Sequence, residues 1–200
     1  MTLLTIPDPD ALIILGFDID APQQVTRSAF TSRRKVVGSP GAEVWRFKLA
    51  IEPLATEWDE QPWRAFWFGL RGQANTFHLP MPCQRHLGPR PTVDSGATNG
   101  YELPLTGMWA STRILRAGQY LTVPLPSGHA RLAMLTADLV TDSSGEAVAS
   151  LNVALNEVPA GGTTVETGDP YCPVALSQSR VGMSYDNGVG GFTFEVEEAL

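Results

Sequence analysis

Nineteen glycines and sixteen prolines are spread along the whole of this chain, not gathered in one linker, and they cut it into many short segments. That spacing is expected of an all-β protein, because each break leaves room for a strand and a turn but rarely for a long helix. From Gln24 to Val37 the sequence mixes Thr, Val, Phe and Arg with partial alternation. Ser39-Pro40-Gly41 then signals a turn, and Val44 to Ile51 alternates with a period of two. The pair reads as one long hairpin, Val25 to Ile51.

One segment breaks the pattern. Leu54, Trp58, Trp63, Phe66, Trp67 and Leu70 recur at close to 3.6 residues, the period of a helix with one buried face. Pro62 suits a first helical turn, so the regular part is expected from there to Leu70, with an end at Gly72. Its aromatic residues are expected to cap a sheet and supply core. Next comes Phe77-His78-Leu79-Pro80-Met81-Pro82, whose prolines exclude a helix and disfavour a central strand. Beyond it, Gly107 to Leu115, Gln119 to Pro124, Ala130 to Val140 and Ala147 to Leu155 read as successive strands. Their connections are Ala117-Gly118, Pro126-Ser127-Gly128 and Asp142 to Gly145. Val174 to Gly182 and Gly191 to Val196 close the chain, with a hairpin tip at Gly188 to Gly191.

The fold expected is therefore mainly β: a β-sandwich-like arrangement or split barrel with a long hairpin arm and one α-helix over about residues 58–70, followed by a second β-rich region. Residues 1–200 are expected to form a single structural unit, or two β subdomains of about 1–80, with the hairpin and helix, and about 81–200. At this length a chain can bury a sufficient core without disulfide or metal support.

Fourteen Lys and Arg against 21 Asp and Glu give a net charge of -7, which opposes general affinity for a polyanion. The basic cluster Arg33, Arg34 and Lys35 reads as a solvated strand face more readily than as a phosphate track. No specific nucleic-acid binding is expected. The N-terminal twenty residues lack the basic start of a signal peptide and are interrupted by Pro7 to Asp10. No stretch approaches the roughly 18 to 20 apolar residues that span a bilayer. Synthesis and folding in a cytoplasm, with no membrane segment, are the expectation.

The sequence carries little recognisable chemistry. His78, His86 and His129 stand in no metal-ligand spacing, and Cys83 and Cys172 fit neither a zinc site nor a disulfide framework, although a bridge between them stays open. Gly72 to Asn75 and Gly188 to Gly191 lack the remainder of a phosphate-loop motif. Ser39 has no partner for a nucleophile. No catalytic residue, metal or cofactor is expected, and the chain is read as a non-enzyme.

Two halves of the sequence carry a resemblance. Trp63 to Phe77, an aromatic helix running into a Gly and Asn loop and then a strand, together with Gly118-Gln119-Tyr120-Leu121-Thr122-Val123, is similar to a feature of small proteins from phage and prophage tail modules. Ala137 to Ala147, Leu151 to Leu155 and Pro159 to Val165 resemble their second half. The resemblance covers roughly residues 24 to 196 and is one of spacing and residue type. It implies a distal tail or baseplate protein, present in the virion and made in the bacterial host cytoplasm. Such a subunit assembles with itself into a ring, commonly a hexamer, joining the tail-tube protein to hub or receptor-binding proteins. It carries no catalytic residues.

Ring subunits need edges or arms that pair across a boundary. The long hairpin is the expected arm, with Arg27, Phe30, Arg33, Arg34, Val44, Trp45 and Phe47 as contact residues; the alternative is that it belongs to the core sheet of a monomer. Other readings are a tail-tube, tail-completion or hub-associated protein of the same tail, an enzyme on a β scaffold, or a carbohydrate-binding β-sandwich module using Trp109, Tyr120 or Tyr185 to stack sugars.

Overall fold

The computed structural model describes residues 1–54, 56–82, 84–179, 184–186 and 189–199. Along the chain they form β1 (Leu3–Leu4), a 3-10 turn at Pro9–Ala11, β2 (Leu12–Asp20), β3 (Gln23–Arg27), β4 (Arg34–Gly38), β5 (Val44–Leu54), helix α1 (Glu57–Gly69), β6 (Thr76–Pro80) and β7 (Thr92–Val93). There follow β8 (Glu102–Thr106), β9 (Arg113–Leu115), β10 (Tyr120–Pro124), β11 (Ala130–Met134), β12 (Leu139–Val140), β13 (Ala147–Ser150), β14 (Tyr171–Leu176), β15 (Ser184–Asp186) and β16 (Val189–Glu198). The protein is mainly β, with one α-helix and several sheets, none closed into a barrel among the described residues.

The chain divides into two compact units, and each is assembled from separated segments. Met1–Asp18, Trp45–Pro82 and Tyr171–Leu200 form the first; Ile19–Val44 and Cys83–Pro170 form the second. This redraws the expected division at about residue 80. Residues 171–200 return to the first unit because β14 and β16 are interior strands of its sheet, and residues 19–44 leave it.

The first unit is built on a sheet of order β1-β6-β14-β16-β5-β2, with β15 paired to the start of β16. Only β1 and β6 run parallel among the pairs whose register is resolved. Alternation does the sorting. On β5, Trp45, Phe47, Leu49 and Ile51 are buried, while Arg46 and Lys48 between them are exposed. Register places Val196 opposite Phe47 and Phe194 opposite Leu49, so β16 adds to the same apolar face. Helix α1 covers that face with Trp63, Phe66, Trp67 and Leu70; Trp67 meets the ring of Phe194 at 4.2 Å and Phe66 meets Phe77 at 5.4 Å.

The helix, Glu57–Gly69, matches the expected 58–70, and its regular part begins five residues before Pro62. Thr56 is the N-cap and its hydroxyl accepts from the Asp59 N–H, with Glu57, Asp59 and Glu60 in the first turn, where the dipole favours anions. Pro62 consequently lies inside the helix and not in its first turn. Trp58, placed with the core by its spacing, is 81% exposed. At the far end the Gly72 to Asn75 stretch terminates the helix: Asn75 Nδ2 donates to the Gly69 carbonyl and its Oδ1 accepts from the Thr2 N–H.

β6 is an interior strand despite its proline, contrary to the sequence expectation. Pro80 stands opposite Tyr171 and Pro173 opposite His78, two positions apart on one ladder. Both prolines therefore fall at alternate positions where the partner requires no N–H. On its other side β6 meets β1 only at Thr76 and Phe77, so the Pro80 end has no neighbour there.

The second unit packs short sheets around one core of Val93, Leu103, Leu105, Ile114, Leu121, Val123, Leu135, Leu139, Val153 and Val165, among others. Its pairs are β10 with β11, β9 with β12, and β8 with β13 on one side and β7 on the other. Single bridges, Thr122 to Glu166 and Leu135 to Leu151, stitch further segments to these ladders. Strands here are shorter than the alternation predicts. Residues 107–112 form a turn held by Gly107 and Ser111 at positive φ, so only Arg113–Leu115 of the expected strand remains. The Asp142 to Gly145 turn stands as expected: Asp142 Oδ1 accepts from the Ser144 and Glu146 N–H groups at 2.8 and 3.0 Å.

Candidate functional site

The fourth sheet of the second unit stands apart from that core. β3 and β4 form a two-stranded antiparallel hairpin in which Gln23 faces Gly38, Val25 faces Val36 and Arg27 faces Arg34. The six residues 28–33 close it: Ser28 N–H donates to Arg33 O and Ser32 N–H to Ser28 O, with Ser32 at φ 54. Every residue from 21 to 40 is exposed, and Phe30 at the tip is 98% exposed. An isolated two-stranded ribbon is at best marginally stable in water, and directly opposed like charges weaken it further.

The hairpin is shorter than the sequence predicts and ends in a different place. Ser39-Pro40-Gly41 is a turn, closed by Ala42 N–H to Ser39 O at 3.0 Å, with Gly41 at φ 85 as a type II turn demands. It links β4 to β5 without pairing them; β5 pairs with β16 instead. Alternation could identify both strands but not their partners. Of the seven expected contact residues, Arg27, Phe30, Arg33 and Arg34 stand on the hairpin or its loop. Val44 is half-buried at the start of β5, and Trp45 and Phe47 are core residues, 0% and 2% exposed, stacked on each other at 6.0 Å.

Glu43 fixes the foot of the hairpin, and the sequence gives no sign of it. Its carboxylate accepts from the Tyr101 hydroxyl at 2.5 Å and from the Gly41 N–H at 2.7 Å. The guanidinium of fully buried Arg131 donates to the Glu43 carbonyl at 2.6 Å and lies 3.9 Å from the carboxylate. Burial pushes the Glu43 carboxyl up, but the Tyr101 and backbone hydrogen bonds, helped by Arg131, outweigh it and hold the group below its ordinary value. The same hydrogen bond raises the Tyr101 phenol.

Two other surface features belong to the first unit. A groove of about 640 Å³ crosses β2, β5 and β16, lined by Asp18, Arg46, Lys48, Glu195 and Glu197 among others. Register sets Glu195 opposite Lys48 and Glu197 opposite Arg46, so its carboxylates face cations as cross-strand pairs. A recess of about 260 Å³ lies by His78 and Tyr171, whose rings stack at 4.0 Å; burial lowers the His78 pKa.

Of the aromatic residues considered for sugar stacking, Trp109 is exposed and rests on Gly88, where a Cβ would come within 2.9 Å of its ring, and Tyr120 is half-buried on β10. The side chain of Tyr185, Cys83 and its pairing with Cys172, and the tip at Gly188 lie outside the described residues. Among the described residues no group of three or more His, Cys, Asp and Glu side chains is placed to hold a metal ion, and no helix is long and apolar enough to cross a membrane.

No protein-family model matches this chain, and a search of curated proteins returns no relative.

Proposed function

We infer that this chain is a structural virion component of a tailed-phage tail, a subunit of a ring at the distal end that joins the tail tube to hub or receptor-binding proteins. The observation that carries the reading is the hairpin β3–β4. Residues 21–40 contribute nothing to a core, yet they hold an ordered ladder on a buried anchor at Glu43. A ribbon of that kind gains its stability by pairing with another chain, and repeated head-to-tail pairing closes into a ring. The tail-module resemblance over residues 24 to 196 supplies the biological setting.

The test is light scattering with negative-stain imaging of the same peak, on the full chain and on a variant with residues 23–38 replaced by a short Gly/Ser linker. Closed rings, six-membered by the resemblance, are expected for the full chain. A monomer with an unchanged melting temperature is expected for the variant. A full chain that stays monomeric at high concentration and also fails to join purified tail tubes would sink the reading.

A further inference from the structure

Charge along the first 42 residues is segregated. Residues 1–20 contain Asp8, Asp10, Asp18 and Asp20 and no Lys or Arg; residues 21–42 contain Arg27, Arg33, Arg34 and Lys35 and no Asp or Glu. The hairpin concentrates its cations at one end, since Arg27 faces Arg34, Thr26 faces Lys35, and Arg33 closes the loop. No ion pair joins any of the four to another described residue.

The acidic segment contains an open edge. β2 is the last strand of the first unit's sheet, nine residues long, and no further strand pairs with it among the described residues. Natural edges of that length are usually blunted by a proline, a bulge or an inward charge. β2 instead presents Ile13, Leu15 and Phe17, 40%, 54% and 51% exposed at alternate positions. Exposed Asp10 precedes the strand and exposed Asp18 lies near its end. The hairpin offers the complement: Val25 and Val36 paired on one face, 48% and 44% exposed, beside the Arg27 and Arg34 pair on that face.

We propose that the β3–β4 hairpin of one copy of this chain docks along the open β2 edge of a second copy, with its apolar pair against Ile13, Leu15 and Phe17 and its terminal cations by Asp10 or Asp18. The proposal rests on the ring reading above and supplies the acceptor for its arm. The contact is heterologous, so each copy donates a hairpin through one surface and receives one through another. Strand addition satisfies the edge's backbone groups, and the opposed charges draw the basic end of the hairpin to the acidic strand.

A charge-swap experiment decides it. Arg27→Glu with Arg34→Glu reverses the charged pair beside Val25 and Val36 on the arm, and Asp10→Lys with Asp18→Lys reverses the two carboxylates named on the edge; all four positions are exposed. Each doubly substituted protein alone is expected to need at least about tenfold more protein to assemble, from losing close ion pairs and gaining repulsion. Mixed in equal amounts, the two should assemble in alternation, because the Glu pair on the arm of one variant then meets the Lys residues on the edge of the other, and the unchanged Arg pair meets the unchanged Asp residues. Recovery in the mixture also shows that both variants are folded. A mixture that assembles no better than either variant, while the wild-type chain forms rings, overturns the β2 acceptor and leaves the ring reading standing. A wild-type chain that never assembles, even on tail tubes, overturns both.

Discussion

Glu43 and Gly145 show how far single residues are set by partners distant in sequence. Tyr101 and Arg131 lie 58 and 88 positions from Glu43, and no local pattern marks an acid that folding will surround in this way. The folded Glu43 carboxyl titrates below its ordinary 4.5, so its stabilising effect is fully present above about pH 4.5 and is lost as pH falls through the lower folded value. Glu43→Gln is expected to destabilise the chain by about 1–3 kcal/mol at neutral pH. Its melting temperature should then fall less steeply than wild type on acidification below about pH 4.5. Parallel curves would show that the carboxylate charge does not matter. Gly145 combines φ +80 with a Cβ position that would collide with the Met108 carbonyl. Gly145→Ala should cost about 2 kcal/mol or more in chemical denaturation. Here the sequence was readable, since a polar stretch ending in glycine already indicated a turn.

Among the elements, α1 was legible from periodicity and the hairpin only half so. Spacing finds a helix because apolar residues return every 3.6 positions, but it assigned Trp58 and Trp67 alike to the core. The structure separates them, leaving Trp58 81% and Trp67 3% exposed. Trp67→Ala is expected to cost about 3–5 kcal/mol. Trp58→Ala should stay within about 0.5 kcal/mol, as measured by denaturant midpoint. Equal losses would mean that both rings are packed. For strands, a period of two says that one face differs from the other and nothing about which strand lies alongside. That is why Val44 to Ile51 reads as the partner of the strand before it although β5 lies between β2 and β16; β8 is interrupted by Pro104, and β7, two residues long, is too short to show a period. The basic cluster at Arg33 to Lys35 was visible at once; its seclusion on a ribbon with no carboxylate was not.

At the scale of the whole chain, two β-rich parts were foreseeable, but their interleaving was not, because composition does not record which segments return. β16 lies between β14 and β5, so it pairs on both sides. Removing residues 189–200 is expected to abolish the near-ultraviolet dichroism of Trp45, Trp63 and Trp67, which pack on that sheet and its helix. An intact signal would mean that the sheet closes without its last strand. That placement also orders events during synthesis. The second unit is complete in sequence at Pro170, while β5 and β6 wait for residues 171–200. A nascent chain therefore leaves the ribosome with one unit able to fold and the other holding unpaired, strongly apolar strands. The interval before β14 and β16 emerge is when it most needs a chaperone.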